Sequence, residues 1–516
     1  MSIKLHDFPG GLDLEGHKTE STQNGLQESS LPDRIVMPLR QHIGEPAHPV
    51  VRVGDQVLKG QVIAESSARF CAPIHASTSG RVRDIGRYPV AHPSGQADVC
   101  IVIDVDGKDS AVERETLDPD TQDPLALAEH ICRAGIVGLG GAVFPTSPKL
   151  TRGKTQGVKI LIINGVECEP YITCDDILMR SYADETIRGT DYLQRILQPE
   201  NTIIAIEDNK PEALAKIRGA LSAHPLPSTE IVSIPTRYPS GGEKQLVQIL
   251  SGREVPQGKL AFDIGFYCQN VGTCVAITRA FEQNEPLISR VVTLAGDNIR
   301  NPGNWETRLG TPIAHLVAQA GGYYRENPYL VLGGPMMGYA LSGDDIPIVK
   351  ASNCILAMQR ETIHHHQGLH DECIRCGKCN EVCPASLLPQ QMYWHARARA
   401  YDRIQEYHLF DCIECGCCSA VCPSQIPLVQ YYRASKSDIR AQQKALFKSD
   451  RARERFEFRE RRLELKKQQE EERRRKKREA LQKKREAGGN ADVPDPVQAA
   501  LDRVKARKQA AQEERK

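Results

Sequence analysis

The apolar residues change period several times along the chain. Residues 31–110 carry short Val/Ile-rich runs, as in "PLRQHIGEPAHPVVRVGDQVLKGQVIAE", broken by turn pairs at Gly54-Asp55 and Lys59-Gly60. "CAPIHASTSGRVRDI" repeats the arrangement, and the pattern predicts β-structure. From residue 125 the spacing lengthens. "PLALAEHICRAGIVGLGG" places apolar residues at helical intervals and ends in a glycine cluster. "VKILIING" and "NTIIAIED" are unbroken apolar runs, as strands covered on both faces require. "PEALAKIRGALSAH" follows as a helix, so residues 120–285 are expected to build an α/β domain with a mostly parallel sheet. Residues 286–348 return to β, reading strand, Pro-Gly turn, strand, short helix, Gly-Gly. From 437 to 516 the apolar spacing disappears. "RRLELKKQQEEERRRKKREALQKKREA" offers opposite charges at i,i+4, as on an exposed charged helix or a partly disordered tail. Contact of its basic residues with an anionic membrane surface is the second reading. No window approaches the roughly 18 apolar residues of a spanning helix, so a role at a membrane would run through partners.

Composition bounds the picture further. At 516 residues the chain should hold three or four domains, taking roughly 150 residues for each. Aromatic residues are only 5%, against 40 Gly and 32 Pro, which favours compact modules rich in turns. A net charge of +1 gives no electrostatic case for nucleic acid. The opening "MSIKLHDFPGGL" has no apolar h-region, so no secretory signal is expected. The 17 cysteines are then expected in a reducing compartment, where disulfides are rare. Metal or cluster binding is the better reading.

Eight of those cysteines form two runs. Cys373, Cys376, Cys379 and Cys383 precede Pro384; Cys412, Cys415, Cys418 and Cys422 precede Pro423. Both follow C-x2-C-x2-C-x3-C-P and resemble the cluster motif of bacterial ferredoxins. Three thiolates at spacing three can wrap a tight loop around three irons of a cubane, and the fourth corner needs a cysteine from elsewhere. The resemblance implies a crossed arrangement: Cys373, Cys376, Cys379 and Cys422 on one [4Fe–4S] cluster, Cys412, Cys415, Cys418 and Cys383 on the other. Zinc is the rival, but structural zinc sites use separated cysteine pairs rather than two identical runs of four. Cys417 falls outside the spacing and reads as a non-ligand. His364, His365 and His366, with His370, read as an exposed linker, because three adjacent histidines do not share one face.

The glycine cluster "GIVGLGGAVFPTSPKL" is not a dinucleotide fingerprint. Val143 stands where the third glycine belongs, and the loop follows a helix rather than a strand. The longer phrase resembles the flavin loop of the NADH-oxidising subunit of respiratory complex I: Gly138, Gly140, Gly141, Ala142, Phe144, Pro145 and Thr146, with Lys149 after. "INGVECEPYITCDD" matches that family's next segment at Asn164, Glu167, Glu169 and Pro170. "YPSGGEKQLVQILSGREVP" matches at Gly242 and Glu243, with Lys244 in place of a second Glu. "YCQNVGTCVAI" matches at Asn270, Val271 and Thr273, with Gln269 departing. The resemblance implies FMN and NAD(H) as cofactor and substrate. It implies contacts from Gly138, Gly140, Gly141, Lys149, Asn164, Glu167, Gly242, Glu243 and Asn270. Loop N–H groups and Lys149 suit a phosphate, asparagine amides suit ring or ribitol oxygens, and carboxylates suit nucleotide hydroxyls.

Two flanking modules complete the order. Residues 31–115 resemble a biotinyl/lipoyl barrel-sandwich hybrid, but the hairpin "ESSARFCAP" lacks the carrier lysine, so docking or structure is expected of it. Residues 286–348 resemble the soluble ligand-binding β-grasp module. A short segment (1–30), hybrid, Rossmann-like flavin domain (120–285), β-grasp module, ferredoxin-type domain (365–435) and charged tail give a multidomain α/β and α+β fold. That order is similar to the C subunit of the Rnf/Rsx ion-translocating electron-transport complex. "FPGGLDLEGHKTES", "PLRQHIGEPAHPVVRVGDQVLKGQ" and "APIHASTSGRV" resemble the family's N-terminal phrases. The resemblance implies a peripheral subunit on the cytoplasmic face of the inner membrane. It would exchange electrons between NAD(H), FMN and two [4Fe–4S] clusters, for a complex that moves ions. The alternatives are a freestanding NADH:ferredoxin-type reductase and a non-catalytic, cluster-carrying adaptor.

Overall fold

The unbroken apolar run of residues 160–165 forms the central strand of the flavin domain. The structure, a computed structural model, describes residues 3–68, 70–113, 123–360, 370–487 and 496–513. It divides into one unit up to Lys436 and a second from Ser437.

In the flavin domain four parallel strands run in the order Thr229–Ile234, Asn201–Glu207, Ile160–Gly165, Phe266–Asn270. Alternate residues serve opposite faces, as the period of two demands. Leu161, Ile163, Ile204 and Ile206 enter one apolar core; Ile162, Ile203 and Ala205 enter another. Burying each such branched side chain contributes about 1.5–3 kcal/mol. The chain lays down the central strand first, adds two strands on one side, then crosses to place Phe266–Asn270 on the other. The switch of direction therefore lies between the carboxyl ends of Ile160–Gly165 and Phe266–Asn270, where open α/β sheets bind ligands.

The hybrid folds as expected. A four-stranded antiparallel sheet (Arg34–Pro38, Ala97–Val105, Gly80–Pro89, Gln56–Val57) faces a smaller one (His48–Pro49, Val62–Glu65, Ile74–His75). Ile35, Met37, Ile63, Ile74 and Ile103 are buried between them.

The β-grasp sheet departs from its expected bounds. Its six strands run Leu26–Glu28, Gly303–Arg308, Ser289–Ala295, Cys354–Met358, Tyr329–Leu332, Tyr339–Ala340. Residues 1–30 are thus no separate segment: Leu26–Glu28 covers the open edge of Gly303–Arg308, whose unpaired N–H and C=O groups would otherwise be bare. The module also extends past 348, because the apolar stretch Cys354–Met358 supplies a strand at the sheet's centre.

In the ferredoxin-type domain each cysteine run leads into a one-turn helix, Lys378–Glu381 or Cys417–Ala420. Its last helix, Leu428–Ala487, starts nine residues before the charged tail was expected to begin. The second unit is helical, and Pro496–Glu513 follows there. The triple histidine lies outside the described residues. His370 meets the backbone of Asp371 and the Tyr431 hydroxyl rather than a ligand cluster.

Candidate functional site

The two cysteine runs adopt one conformation twice. Arg375 and Glu414 have φ of 56° and 60°, Gly377 and Gly416 both 83°, and Ser386 and Gln425 50° and 53°. These left-handed positions recur at one offset, so each run turns the same tight loop. Cys383, Cys412, Cys415 and Cys418 line one cavity, with Leu387, Met392, Ile413, Val429 and Tyr432 as its apolar wall. The fourth cysteine of the first run thus faces the first three of the second. Four sulfurs around tetrahedral zinc, with bonds of about 2.3 Å, would lie about 3.8 Å apart. Among the described residues the one trio of His, Cys, Asp or Glu ligand atoms within 4.8 Å of one another is Glu167, Cys174 and Asp175. No trio from the runs closes that far, so the donor set fits a larger cluster better than a single ion. Cys417 is not part of that lining; it is buried with Tyr238 and Cys415 in a small apolar cluster.

The flavin-site residues gather at the switch point of the parallel sheet. Asn164 and Asn270 are register partners at the carboxyl ends of adjacent strands. Asn164 donates from Nδ2 to the Gly241 carbonyl at 3.0 Å and accepts from the Val166 N–H at 2.9 Å. Asn270 caps the helix Val271–Glu282, accepting from the Gly272 N–H at 2.9 Å, and donates to Asp175 at 2.7 Å. The glycine loop lies over it: a Cβ on Gly140 would stand 3.3 Å from that of Asn270. Gly138 closes the loop base, its N–H donating to the Phe144 carbonyl at 2.8 Å. Gly141, at φ 99°, has nothing within 4 Å of a built Cβ, so this stretch of backbone is open to a ligand. The helix Thr146–Gln156 begins directly after the loop, and the buried Thr146 hydroxyl has no partner.

Lys149, in that helix's first turn, donates to Glu243 at 3.0 Å and to the Cys268 carbonyl at 2.6 Å. Burial opposes its charge, but the Glu243 carboxylate outweighs that and holds its pKa above the usual lysine value. Gly242 precedes the helix Glu243–Ser251, so Glu243 also sits at a helix start, where a negative charge is favoured. Glu167 is buried and engaged otherwise than expected. It accepts from the Asp175 N–H at 2.8 Å, the Asp176 N–H at 3.4 Å and the Cys174 thiol at 3.3 Å, capping the helix Cys174–Ser181. A carboxylate so engaged has little capacity left for nucleotide hydroxyls.

Open loop backbone, a helix start, an unpartnered hydroxyl, a lysine and two strand-end amides together fit a phosphorylated flavin. Other residues support the site. Asp175, in "TCDD", faces Asn270; burial first and Glu167 second push its carboxyl up to about 7. Leu139 is held at both ends: its N–H donates to Thr273 Oγ1 at 3.0 Å, and its carbonyl accepts from Arg290 at 2.6 Å. Thr273 is part of the phrase that resembles complex I. Arg290 comes from the β-grasp sheet, 151 residues away, and only the tertiary fold brings it there.

The two sites abut. The Tyr238 hydroxyl donates to the Cys415 carbonyl at 2.6 Å, three residues before Gly241 and Gly242. Lys244, the departure from the complex I pattern, pairs at 3.6 Å with Asp411, the neighbour of Cys412. A Cβ on Gly416 would meet the Met336 carbonyl at 2.6 Å. Glu169 accepts from the Met336 and Met337 N–H groups at 2.7 and 3.0 Å, and burial raises its pKa.

Residues 131–279 match the family model described as the Nuo51 FMN-binding domain, and 6–108 the RnfC barrel sandwich hybrid domain. Residues 291–340 match the SLBB domain and 372–426 a 4Fe-4S dicluster domain. The C subunit of the ion-translocating oxidoreductase complex of Pectobacterium atrosepticum is 47% identical over 515 residues, 99% of this chain and 72% of that protein. Its Pseudomonas aeruginosa counterpart is 50% identical over 98% of this chain and 66% of its own length. The Pasteurella multocida one is 48% identical over 98% and 60%. An NAD+-reducing [NiFe]-hydrogenase in the H2-reduced state aligns with a TM-score of 0.43 at 17% identity, over 63% of this chain and 62% of that one, too slight a likeness to argue from. With about half its residues identical to relatives over nearly its whole length, the chain belongs to the family formed by the C subunits of ion-translocating oxidoreductase complexes.

Proposed function

We propose that this chain passes electrons between NAD(H) and the redox chain of a membrane complex, by way of FMN and two [4Fe–4S] clusters. As a member of its family it is an electron-transfer subunit of an ion-translocating oxidoreductase, with an FMN-binding domain and a 4Fe–4S dicluster domain. The observation that carries the finer reading is the convergence of the glycine loop, Lys149, Asn164, Asn270 and Glu243 at the sheet's switch point, directly beside the Cys415 loop. Bound flavin supplies the change from two-electron to one-electron chemistry.

The protein's own residues bind and orient. Gly140, Gly141 and the start of helix Thr146–Gln156 would receive the phosphate. Lys149 would balance its charge, and Glu243 would face the nucleotide. Asn164 fixes the Gly241 backbone and Asn270 caps its helix, and both strand-end amides would orient the flavin. Cys373, Cys376, Cys379 and Cys422 would hold the first cluster; Cys383, Cys412, Cys415 and Cys418 the second. The shared cavity of the latter four supports the crossed assignment. The second set lies against the flavin domain, while Cys376 is exposed and Ile374 is 67% exposed. That asymmetry supports the second cluster as the one nearer the flavin and the first as the exit to a partner.

Among the described residues no helix is long and apolar enough to cross a membrane. The reading assigns ion movement to other subunits and puts this one peripherally, on the cytoplasmic side. Anaerobic purification, flavin and iron assay and NADH titration test it. NADH should bleach the flavin and then bring up the EPR signals of reduced clusters. Clusters without flavin and without response to NADH would leave only the adaptor. Retention on washed membranes, lost when partner subunits are deleted, separates a member of a complex from a freestanding reductase.

A further inference from the structure

Residues 6–28 run across three modules, touching each through backbone and buried polar groups. The His6 N–H donates to the Ile249 carbonyl at 2.9 Å, and Phe8 packs into the outer core of the flavin domain. Gly10 and Gly11 then lie backbone to backbone on the first cysteine run. The Gly11 N–H donates to the Val382 carbonyl at 3.0 Å. A Cβ on Gly10 would fall 2.5 Å from the Val382 carbonyl carbon and 2.7 Å from that of Cys383; one on Gly11 would fall 2.8 Å from the Tyr238 carbonyl oxygen. Both glycines also have φ above 60°, at 64° and 82°, where a side chain is strained. Leu12 and Tyr238 exchange both backbone hydrogen bonds, at 2.8 and 2.9 Å. On its other side Tyr238 holds Cys415.

Six residues on, Lys18 is half-buried and turns its ammonium onto three carbonyls, Glu167 at 2.7 Å, Glu169 at 3.0 Å and Ile172 at 2.6 Å. These carbonyls belong to the loop that carries the Glu167 cap and the Glu169 anchor on Met336. Ser21 joins a buried network with Thr173 and Asn304, at 2.8 and 2.9 Å. Leu26–Glu28 ends the run as an edge strand of the β-grasp sheet.

We propose that this N-terminal strap sets the spacing between the flavin site and the second cluster, with Gly10, Gly11 and Lys18 as its positioning residues. The inference rests on the proposed cofactor assignment. The strap's contacts are with Val382-Cys383 of the first run, with Tyr238 just before Gly241-Gly242, and with the 167–172 loop. It therefore ties together the pieces that fix the relative position of the two sites. Close approach of two backbones is why glycine is required at 10 and 11. The three carbonyls turned toward one another are why a buried ammonium is tolerated at 18, although burial lowers its pKa.

Gly10→Ala in the full chain, reconstituted with FMN and clusters, tests the proposal. The flavin is reduced by light with a sacrificial donor, so that the result is independent of NADH. Flavin and iron contents should match the parent, while cluster reduction lags flavin reduction by about tenfold or more, as a small misplacement predicts. Hydrogen exchange should show residues 378–384 and 410–418 opening faster. Equal cluster reduction with equal cofactor content would overturn the strap; parent clusters that never follow the flavin would overturn the cofactor reading instead. If Gly10→Ala does not hold cofactors, exchange in the parent decides. Slow exchange at Gly11 and Leu12, matching Tyr238, supports the strap, and free exchange there refutes it.

Discussion

Asp175 and Glu167 share the start of one helix, and only Glu167 has its full set of donors there. The Asp175 carboxyl is pushed from 3.8 up to about 7 by burial and then by Glu167. A folded-state pKa above the unfolded one gives stability that is complete below the unfolded value and is lost as pH rises through the folded value. The parent should therefore lose stability relative to Asp175→Asn, on the order of 2 kcal/mol between about pH 5 and about pH 8, in paired urea titrations. A parallel pair of curves would show that Asp175 titrates normally. Lys149 yields a second test at this scale. Lys149→Ala removes a charged donor worth about 1.5–3 kcal/mol, so FMN retention should fall roughly 10- to 100-fold while iron content stays unchanged. Equal flavin in mutant and parent on gel filtration would count against the phosphate role. Both residues lie in phrases that the sequence marked, but the motif named Glu167 as a ligand contact. The fold uses it as a cap, because its neighbours Cys174 to Asp176 open a helix directly against it.

Among the elements, the glycine loop is held by two neighbours from different modules. Thr273 on the helix Val271–Glu282 takes the Leu139 N–H, and Arg290 on the strand Ser289–Ala295 takes its carbonyl. Arg290 also donates to the Lys350 carbonyl and is itself buried. Arg290→Ala leaves both carbonyls short of a charged donor. It should destabilise the chain by about 2–3 kcal/mol and speed amide exchange across residues 138–144 without altering the cysteine domain. Unchanged exchange in the loop would mean that Thr273 alone suffices. Strand and helix identities here were legible from the unbroken apolar runs of residues 160–165 and 201–207 and from the helical spacing of 124–133. The β-grasp bounds were not. A three-residue edge strand such as Leu26–Glu28 has no periodicity to read, and it forms only because Gly303–Arg308 offers an open edge.

For the molecule as a whole, the crossed cluster assignment predicts coupled losses. Cys383→Ser should abolish the same EPR signal as Cys412→Ser, and Cys422→Ser the same signal as Cys373→Ser. Loss of one signal by both Cys373→Ser and Cys383→Ser would restore the uncrossed reading. The sequence alone determined what is local: the spacing of the cysteines, the apolar runs of the parallel sheet, the glycine loop and the charge of the tail. Spacing and period are properties of consecutive residues, so they are written where they act. Only the tertiary structure decided that Arg290 holds a loop 151 residues earlier and that Gly10 lies on Val382. Those contacts join residues far apart in the chain, and no local pattern records a pairing that exists only once the modules have packed.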